Sequence, residues 1–273
     1  MKPDFVKPKC RYMRVIHNFA LLVLLLTMSA TDAKADMIEK ADSAYLADDY
    51  VSAVSLYLAA EQESGSSSAL YYNIGNSYYR IGDVGKAILY YKRALKLDPT
   101  NRDARQNLLF VMTKTVDKQE DNRSVVKKAT DKIILSNTPN GWAVIALIAF
   151  VLLLVAVAMY VFSRSVVIRK ICFFGGLVIL FFDILLVYVA YKSAVDVSGT
   201  SVAVVISPNV QLSTVPRNPK DKSEQAFQLH EGAVVEIVDS VKLNTDTIGH
   251  MWYEVSVDNV HRAWINEADI ERL

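Results

Sequence analysis

The chain has 273 residues, 52% of them hydrophobic, and a nearly balanced charge of 30 Lys and Arg against 29 Asp and Glu. With no strong net field, the composition gives no support to nucleic-acid or polyanion binding. Much of the apolar excess lies in residues 19–28, 141–163 and 171–190, so a membrane explains it better than one large core. The only cysteines, Cys10 and Cys172, exclude a disulfide framework.

The N-terminal segment has the order of a secretory signal peptide. Five basic residues precede an apolar run from Phe19 to Met28, and small residues follow as far as Ala35. This order predicts a signal peptide over residues 1–35, cleaved after Ala35. An uncleaved anchor helix is the alternative, although the run has only about ten residues and a span needs about 20.

Two short helices joined by a tight turn are predicted between residues 68 and 101. Apolar and aromatic side chains recur at helical spacing on both sides of Gly82-Asp83, and Asp98-Pro99 ends the second run. The segment closely resembles a tetratricopeptide repeat, an all-α helix pair with a 34-residue period. The residues that carry this resemblance are Tyr71, Ile74, Gly75, Tyr78, Ala87, Tyr91, Ala94 and Pro99.

A shift of 34 residues in either direction extends the module. Backwards, it predicts a degenerate repeat at residues 36–64, because four small or aromatic residues fall in register: Ala41, Ala53, Tyr57 and Ala60. Forwards, an amphipathic helix over residues 104–112 brings Leu108 and Met112 to the end of the stack as a cap. The tetratricopeptide module is therefore predicted over residues 36–113.

Tetratricopeptide arrays present a concave groove to an extended peptide or a helix, so the resemblance implies an adaptor that binds other proteins. The groove candidates are Tyr72, Asn73, Asn76, Tyr79 and Arg80. Asn73 resembles the asparagine of repeats that clamp a C-terminal carboxylate, but the positions 34 residues away, Glu39 and Asn107, supply no cation. Ordinary solvated helix surface is the alternative for both asparagines.

Two transmembrane helices are predicted, over residues 141–163 and 171–191. Each is long and apolar enough to cross a hydrocarbon core of about 30 Å at about 1.5 Å per residue. The connection at residues 164–170 carries three basic residues, which favour the cytoplasmic side, so both soluble ends are expected outside. The charge-mixed residues 114–140 before the first span are predicted to be a linker.

Asp183 lies near the middle of the second predicted span. An exposed carboxylate there costs on the order of 2.5 to 3.5 kcal/mol, so the side chain is expected to face protein. It either contacts a partner subunit's helix or handles protons, or it is a carboxyl protonated or hydrogen-bonded within the hairpin. A transporter-like function centred on Asp183 needs more polar intramembrane residues than two helices offer, unless the chain oligomerises.

Short apolar runs alternate with turn residues over residues 200–273, which predicts an all-β module closed into a small barrel. Glu231-Gly232 before Ala233, the strand at residues 252–255 and Ala263-Trp264-Ile265 resemble a bacterial SH3-like domain. The resemblance implies that the tryptophans either lie in the core, which is favoured for Trp264, or line a groove for peptidoglycan stem peptides or a partner's extended segment. The groove candidates are Trp252, Tyr253 and Trp264.

No catalytic residue, metal site or cofactor is predicted. His230, His250 and His261 share the β region with Asp246 and Glu254, but their spacing matches no metal site. No serine lies in a nucleophile elbow, and we expect a protein that is not an enzyme.

The order of signal peptide, tetratricopeptide module, transmembrane hairpin and SH3-like terminus resembles the BatE-like family, the tetratricopeptide proteins of the Bacteroides aerotolerance operon. The resemblance implies a two-pass protein of the inner membrane in Bacteroidetes, with both soluble domains in the periplasm. It also implies a scaffold in an aerotolerance or stress-related complex with von Willebrand factor A-type partners. The alternative function is a cell-wall sensor whose SH3-like module binds peptidoglycan.

Overall fold

The computed structural model describes residues 36–118, 124–199, 201–242, 251–257 and 261–273. The predicted signal peptide, its cleavage site and Cys10 lie outside the described residues. The chain divides into two compact units between Ser66 and Ser67.

The first unit contains a helix pair, α1 at residues 36–46 and α2 at Tyr50–Ser64. Asp49 caps α2, because its carboxylate accepts a hydrogen bond of 3.1 Å from the Ser52 amide. The Tyr57 hydroxyl of α2 donates to the Asp42 carboxylate of α1. The four residues that the 34-residue shift placed in register are all buried: Ala41, Ala53, Tyr57 and Ala60.

The second unit begins with three helices, α3 at Ser68–Ile81, α4 at Val84–Leu97 and α5 at Arg102–Met112. Each starts after a polar cap, Ser67, Asp83 or Asn101, whose side chain accepts from an amide three residues on. Gly82 ends α3 in the left-handed region with a φ of 94°, which favours glycine. These local signals explain why the helical-repeat prediction is confirmed.

A further helix, α6 at Val125–Ile134, lies inside the segment that the sequence predicts to be a linker. Two long apolar helices follow, α7 at Pro139–Phe162 and α8 at Val166–Ser198, and they pack as an antiparallel hairpin. Both have the length and composition to cross a membrane, and only 6% of the apolar window in each is buried. Such exposure sets them apart from the core helices of a soluble protein. Helix α7 begins two residues before its predicted span and ends one residue short of its end, α8 extends beyond its predicted span at both ends, and the residues between the helices are 163–165.

The C-terminal part is one antiparallel sheet. Its strands are β1 at Val202–Val205, β2 at Asn209–Ser213, β3 at Gln225–His230, β4 at Val234–Lys242, β5 at Met251–Ser256, β6 at Arg262–Asn266 and, after a short 3-10 turn at Glu267–Asp269, β7 at Ile270–Arg272. The order across the sheet is β3-β2-β6-β5-β4-β1-β7. A register shift between Gln211 and Ser213 lets β2 leave β3 and pair with β6.

Buried residues from all seven strands pack into one apolar core, so the all-β prediction is confirmed. The predicted closed barrel is not observed, because the edge strands β3 and β7 do not pair with each other within the described residues. The outer edge of β7 is occupied differently, since the Arg93 guanidinium of α4 donates to the carbonyl of Arg272 at 2.8 Å. The SH3-like likeness therefore stays a prediction.

Candidate protein-binding groove

The close approach of α3 and α4 depends on Gly75. A Cβ atom at this position would lie 2.9 Å from two ring carbons of Tyr91, which is closer than real contacts allow. Tyr91 itself is 1% exposed. The other signature residues share this structural role, because Ala87, Ala94 and Pro99 are buried and Tyr71 and Tyr78 pack on the Tyr90 ring.

A polar network centred on Asn76 joins three helices. The Asn76 carbonyl oxygen accepts from the Tyr91 hydroxyl of α4 at 2.7 Å and from the Asn107 amide of α5 at 2.9 Å. The same Asn107 nitrogen lies 3.4 Å from the Tyr72 hydroxyl. Because the carbonyl end of the Asn76 amide is used within the module, its NH2 end is the part that a ligand can use.

Two aromatic side chains lie next to the Asn76 network, towards the C-terminal ends of α3 and α5. Tyr79 and Phe110 meet edge to face, with ring centroids 5.8 Å apart, and the Lys114 ammonium lies 5.3 Å from the Phe110 centroid. Phe110 is 51% exposed. An exposed aromatic ring beside a cation, at the edge of a hydrogen-bonding network, suits a peptide that carries apolar and acidic side chains.

The structure therefore brings three of the five predicted groove residues together: Tyr72, Asn76 and Tyr79. Arg80 is exposed and Asn73 is half-buried. The sequence interpretation did not place Asn107 and Phe110 in the groove, although they follow Asn73 and Asn76 by one 34-residue period. We call the surface formed by Tyr72, Asn76, Tyr79, Asn107 and Phe110 the groove face.

The Asn76 network should matter for stability. We expect Asn76→Ala to lower the free energy of unfolding by about 1–2 kcal/mol, because two partly buried hydrogen bonds lose their acceptor. Thermal or denaturant unfolding of the detergent-solubilised chain, followed by circular dichroism, measures this change. Gln106→Ala is the matched control, since Gln106 is exposed on α5, and an equal loss in both variants would contradict the role of the network.

The other side of the repeat is occupied by the chain's own sheet. A Cβ atom on Gly85 of α4 would lie 2.9 Å from the Val205 carbonyl oxygen of β1. A Cβ atom on Gly232, in the turn before β4, would lie 2.8 Å from a side-chain carbon of Ile88 in α4. Val204 of β1 is fully buried. Gly85 thus allows the backbones of α4 and β1 to touch, and Gly232 leaves room for the Ile88 side chain.

Polar contacts fix the same interface at its edges. Arg93 of α4 forms an ion pair with Glu271 at 3.0 Å, and the Lys96 ammonium donates to the Leu273 carbonyl at 3.1 Å. Burial, and to a lesser extent the charge of Arg93, lowers the pKa of Lys96. Beyond α5, the Asp117 carboxylate accepts from the backbone amide of His230 at 2.6 Å. The α4 side of the repeat is therefore a structural interface.

The candidates in the β module differ in how much surface they present. Trp252 and Tyr253 are 4% and 3% exposed, so a ligand has almost no access to them. Trp264 is half-buried, although the SH3-like resemblance favoured the core for it. A peptide-binding role for this module stays a prediction, with Trp264 as the residue able to contribute.

Asp183 is buried within the apolar hairpin, with 8% of its surface exposed. Its Oδ1 atom has no hydrogen-bond partner among the described residues. A Cβ atom on Gly176 would lie 3.8 Å from Leu153 of α7, and the same antiparallel register puts Asp183 level with the buried Ala146. This position faces α7, which agrees with the expectation that Asp183 faces protein, and its role stays a prediction.

The helix geometry and the groove face define a helical-repeat module of the kind that mediates protein–protein interaction. A family model described as tetratricopeptide repeat matches residues 68–101, which are α3, α4 and the turn that follows. No curated protein matches the chain.

Proposed function

We propose that this chain is a membrane-anchored scaffold of the cell envelope that binds partner proteins through the groove face and is not an enzyme. The observation that carries the proposal is that the two sides of the repeat differ in what covers them. The α4 side is covered by the sheet, whereas the groove face keeps an aromatic ring, Phe110, half exposed beside a cation. An exposed aromatic residue next to ordered hydrogen-bonding groups is a common anchor for a binding partner.

The hairpin of α7 and α8 supports the membrane anchor. Its connection and the first turn of α8 carry Arg164, Arg169 and Lys170, which favour the cytoplasmic side. In this topology the tetratricopeptide module and the sheet both face the periplasm, above the inner membrane. The basic end of the hairpin and the predicted export signal argue independently for this orientation.

The order of the modules further supports a BatE-like protein, and with it von Willebrand factor A-type partners and a role in aerotolerance or stress tolerance. Recognition of peptidoglycan by the β module has less support. Two of its three candidate aromatic residues are buried, and the edge of β7 is already used by α4. We therefore place the main binding activity in the repeat.

The test compares two neighbouring residues of α5. Phe110→Ala is expected to weaken partner binding about tenfold or more, as loss of an interface anchor typically does. Leu109→Ala is the matched control, because Leu109 is also exposed, at 61%, but lies about 100° away around the helix. Partners are captured from gently solubilised membranes with the full chain as bait and are then quantified against wild type by mass spectrometry.

Retention of every partner by Phe110→Ala would contradict binding through the groove face. A parallel capture with Trp264→Ala separates the alternative function. Loss of peptidoglycan or partner binding in Trp264→Ala alone would show that the β module, and not the groove face, carries the binding activity.

A further inference from the structure

Helix α6 has an apolar surface that no part of the described protein covers. Val125, Val126 and Ile133 are 83%, 77% and 55% exposed, and Ala129 is exposed as well. Successive helical residues are about 100° apart, so these four side chains lie within an arc of about 100°. Lys128 and Lys132 border this arc on one side.

The opposite surface of α6 fastens the helix to the apolar hairpin. Ile134 is 2% exposed, and its carbonyl accepts a hydrogen bond of 3.0 Å from the indole nitrogen of Trp142 in α7. Asp131 interacts electrostatically with Lys192 near the C-terminal end of α8. Helix α6 is therefore held at the end of the hairpin where α7 begins and α8 finishes.

The short connection keeps α6 at this level. Residues 135–138 join it to α7, and a fully extended chain covers at most about 3.5 Å per residue. A tryptophan with its indole N–H in a hydrogen bond is typical of the boundary between hydrocarbon and water. The C-terminal end of α6, with the exposed Ile133, thus lies beside the plane at which α7 would enter a bilayer.

We infer that α6 is an interfacial helix, whose apolar arc is inserted into the headgroup–acyl boundary of the bilayer that α7 and α8 cross. The inference rests on the membrane anchoring proposed above. The partner of this surface is the phospholipid layer itself, because the short connection and the Trp142 hydrogen bond hold the C-terminal end of α6 beside the level at which α7 would enter the bilayer. Lys128 and Lys132 extend their alkyl stems along the apolar surface and place their ammonium groups among the headgroups.

Spin labels in the reconstituted full chain test this placement. Cys10 and Cys172 are replaced by alanine, and single cysteines are introduced at Val126, Ile133, Lys127 and Leu152 for nitroxide labelling. The protein is placed in vesicles of phosphatidylcholine with phosphatidylglycerol. Collision of each label with oxygen, which concentrates in lipid, is compared with collision with a water-soluble nickel complex.

Labels at Val126 and Ile133 are expected to collide more with oxygen, relative to the nickel complex, than the label at Lys127, which lies on the other side of α6. Preference for the nickel complex at all three positions, or shielding of Val126 and Ile133 from both reagents, would overturn the inference. Leu152 of α7 separates the two proposals. If the label at Leu152 is exposed to lipid but the labels on α6 are exposed to water, only the interfacial helix is contradicted. If the label at Leu152 is exposed to water, the membrane anchor itself is contradicted.

Discussion

Replacing Tyr91 with alanine is expected to lower the free energy of unfolding of the repeat by about 3–5 kcal/mol, the usual cost of removing a large buried aromatic side chain. The ring is 1% exposed and fills the space that Gly75 leaves between α3 and α4. Its hydroxyl also donates to Asn76. Tyr91→Ala therefore leaves a cavity between the helices and removes one hydrogen bond of the network that supports the groove face. Denaturant unfolding followed by circular dichroism measures the loss.

Tyr91→Phe separates the two contributions. This variant keeps the ring and removes the hydroxyl, so a smaller loss of about 0.5–1.5 kcal/mol is expected. An alanine variant as stable as the phenylalanine variant would show that the ring does not hold the two helices together. It would also remove the structural reason for a glycine at position 75.

The second large effect is expected at the interface between α4 and the sheet. Gly85→Leu should separate the β module from the repeat at a cost of about 1–3 kcal/mol or more, because overpacking forces backbone shifts. Even the first added carbon meets the Val205 carbonyl, which already accepts the Gly232 amide at 2.8 Å. Backbone atoms cannot yield by changing rotamer, so the modules must move apart.

Hydrogen exchange of α4 and β1, measured by mass spectrometry, reports this separation as faster exchange in both segments. Gly175→Leu is the matched control, because a Cβ atom at Gly175 of α8 would have no neighbour within 4 Å outside its own helix among the described residues. Unchanged exchange in Gly85→Leu would mean that the repeat and the sheet do not depend on this contact.

The helical repeat was predictable because its signals are local. Caps, the glycine turn and aromatic spacing act within a few residues, and the 34-residue period repeats them. The same period also connects Asn76 with Phe110, so part of the groove face was encoded in the sequence. The hydrogen bonds of Asn76 to Tyr91 and Asn107 were not, because they depend on how three helices pack.

The contact between α4 and the sheet joins residues that are distant in the chain, such as Arg93 and Glu271, and no spacing rule predicts it. One local signal was present. Gly85 is the second residue of α4, and a glycine can mark a place where two backbones approach closely.

Two other differences also have physical causes. Helix α6 was expected to be linker because charged residues dominate its segment, but Ser124 caps it and its apolar residues fall on one side. The barrel was expected from evenly spaced short strands. Strand spacing does not specify closure, and here the edge of β7 is satisfied by Arg93 instead of another strand.

The side of the membrane on which each part of the chain lies is the most direct test of a scaffold anchored by a hairpin. Single cysteines at Glu63, Lys222 and Ser165, in a chain without Cys10 and Cys172, are exposed to a membrane-impermeant maleimide in intact spheroplasts and after lysis. We expect labelling at Glu63 and Lys222 in intact spheroplasts, and at Ser165 only after lysis. Labelling of Ser165 before lysis, or protection of Glu63 and Lys222, would contradict a scaffold anchored by a hairpin with its binding module outside.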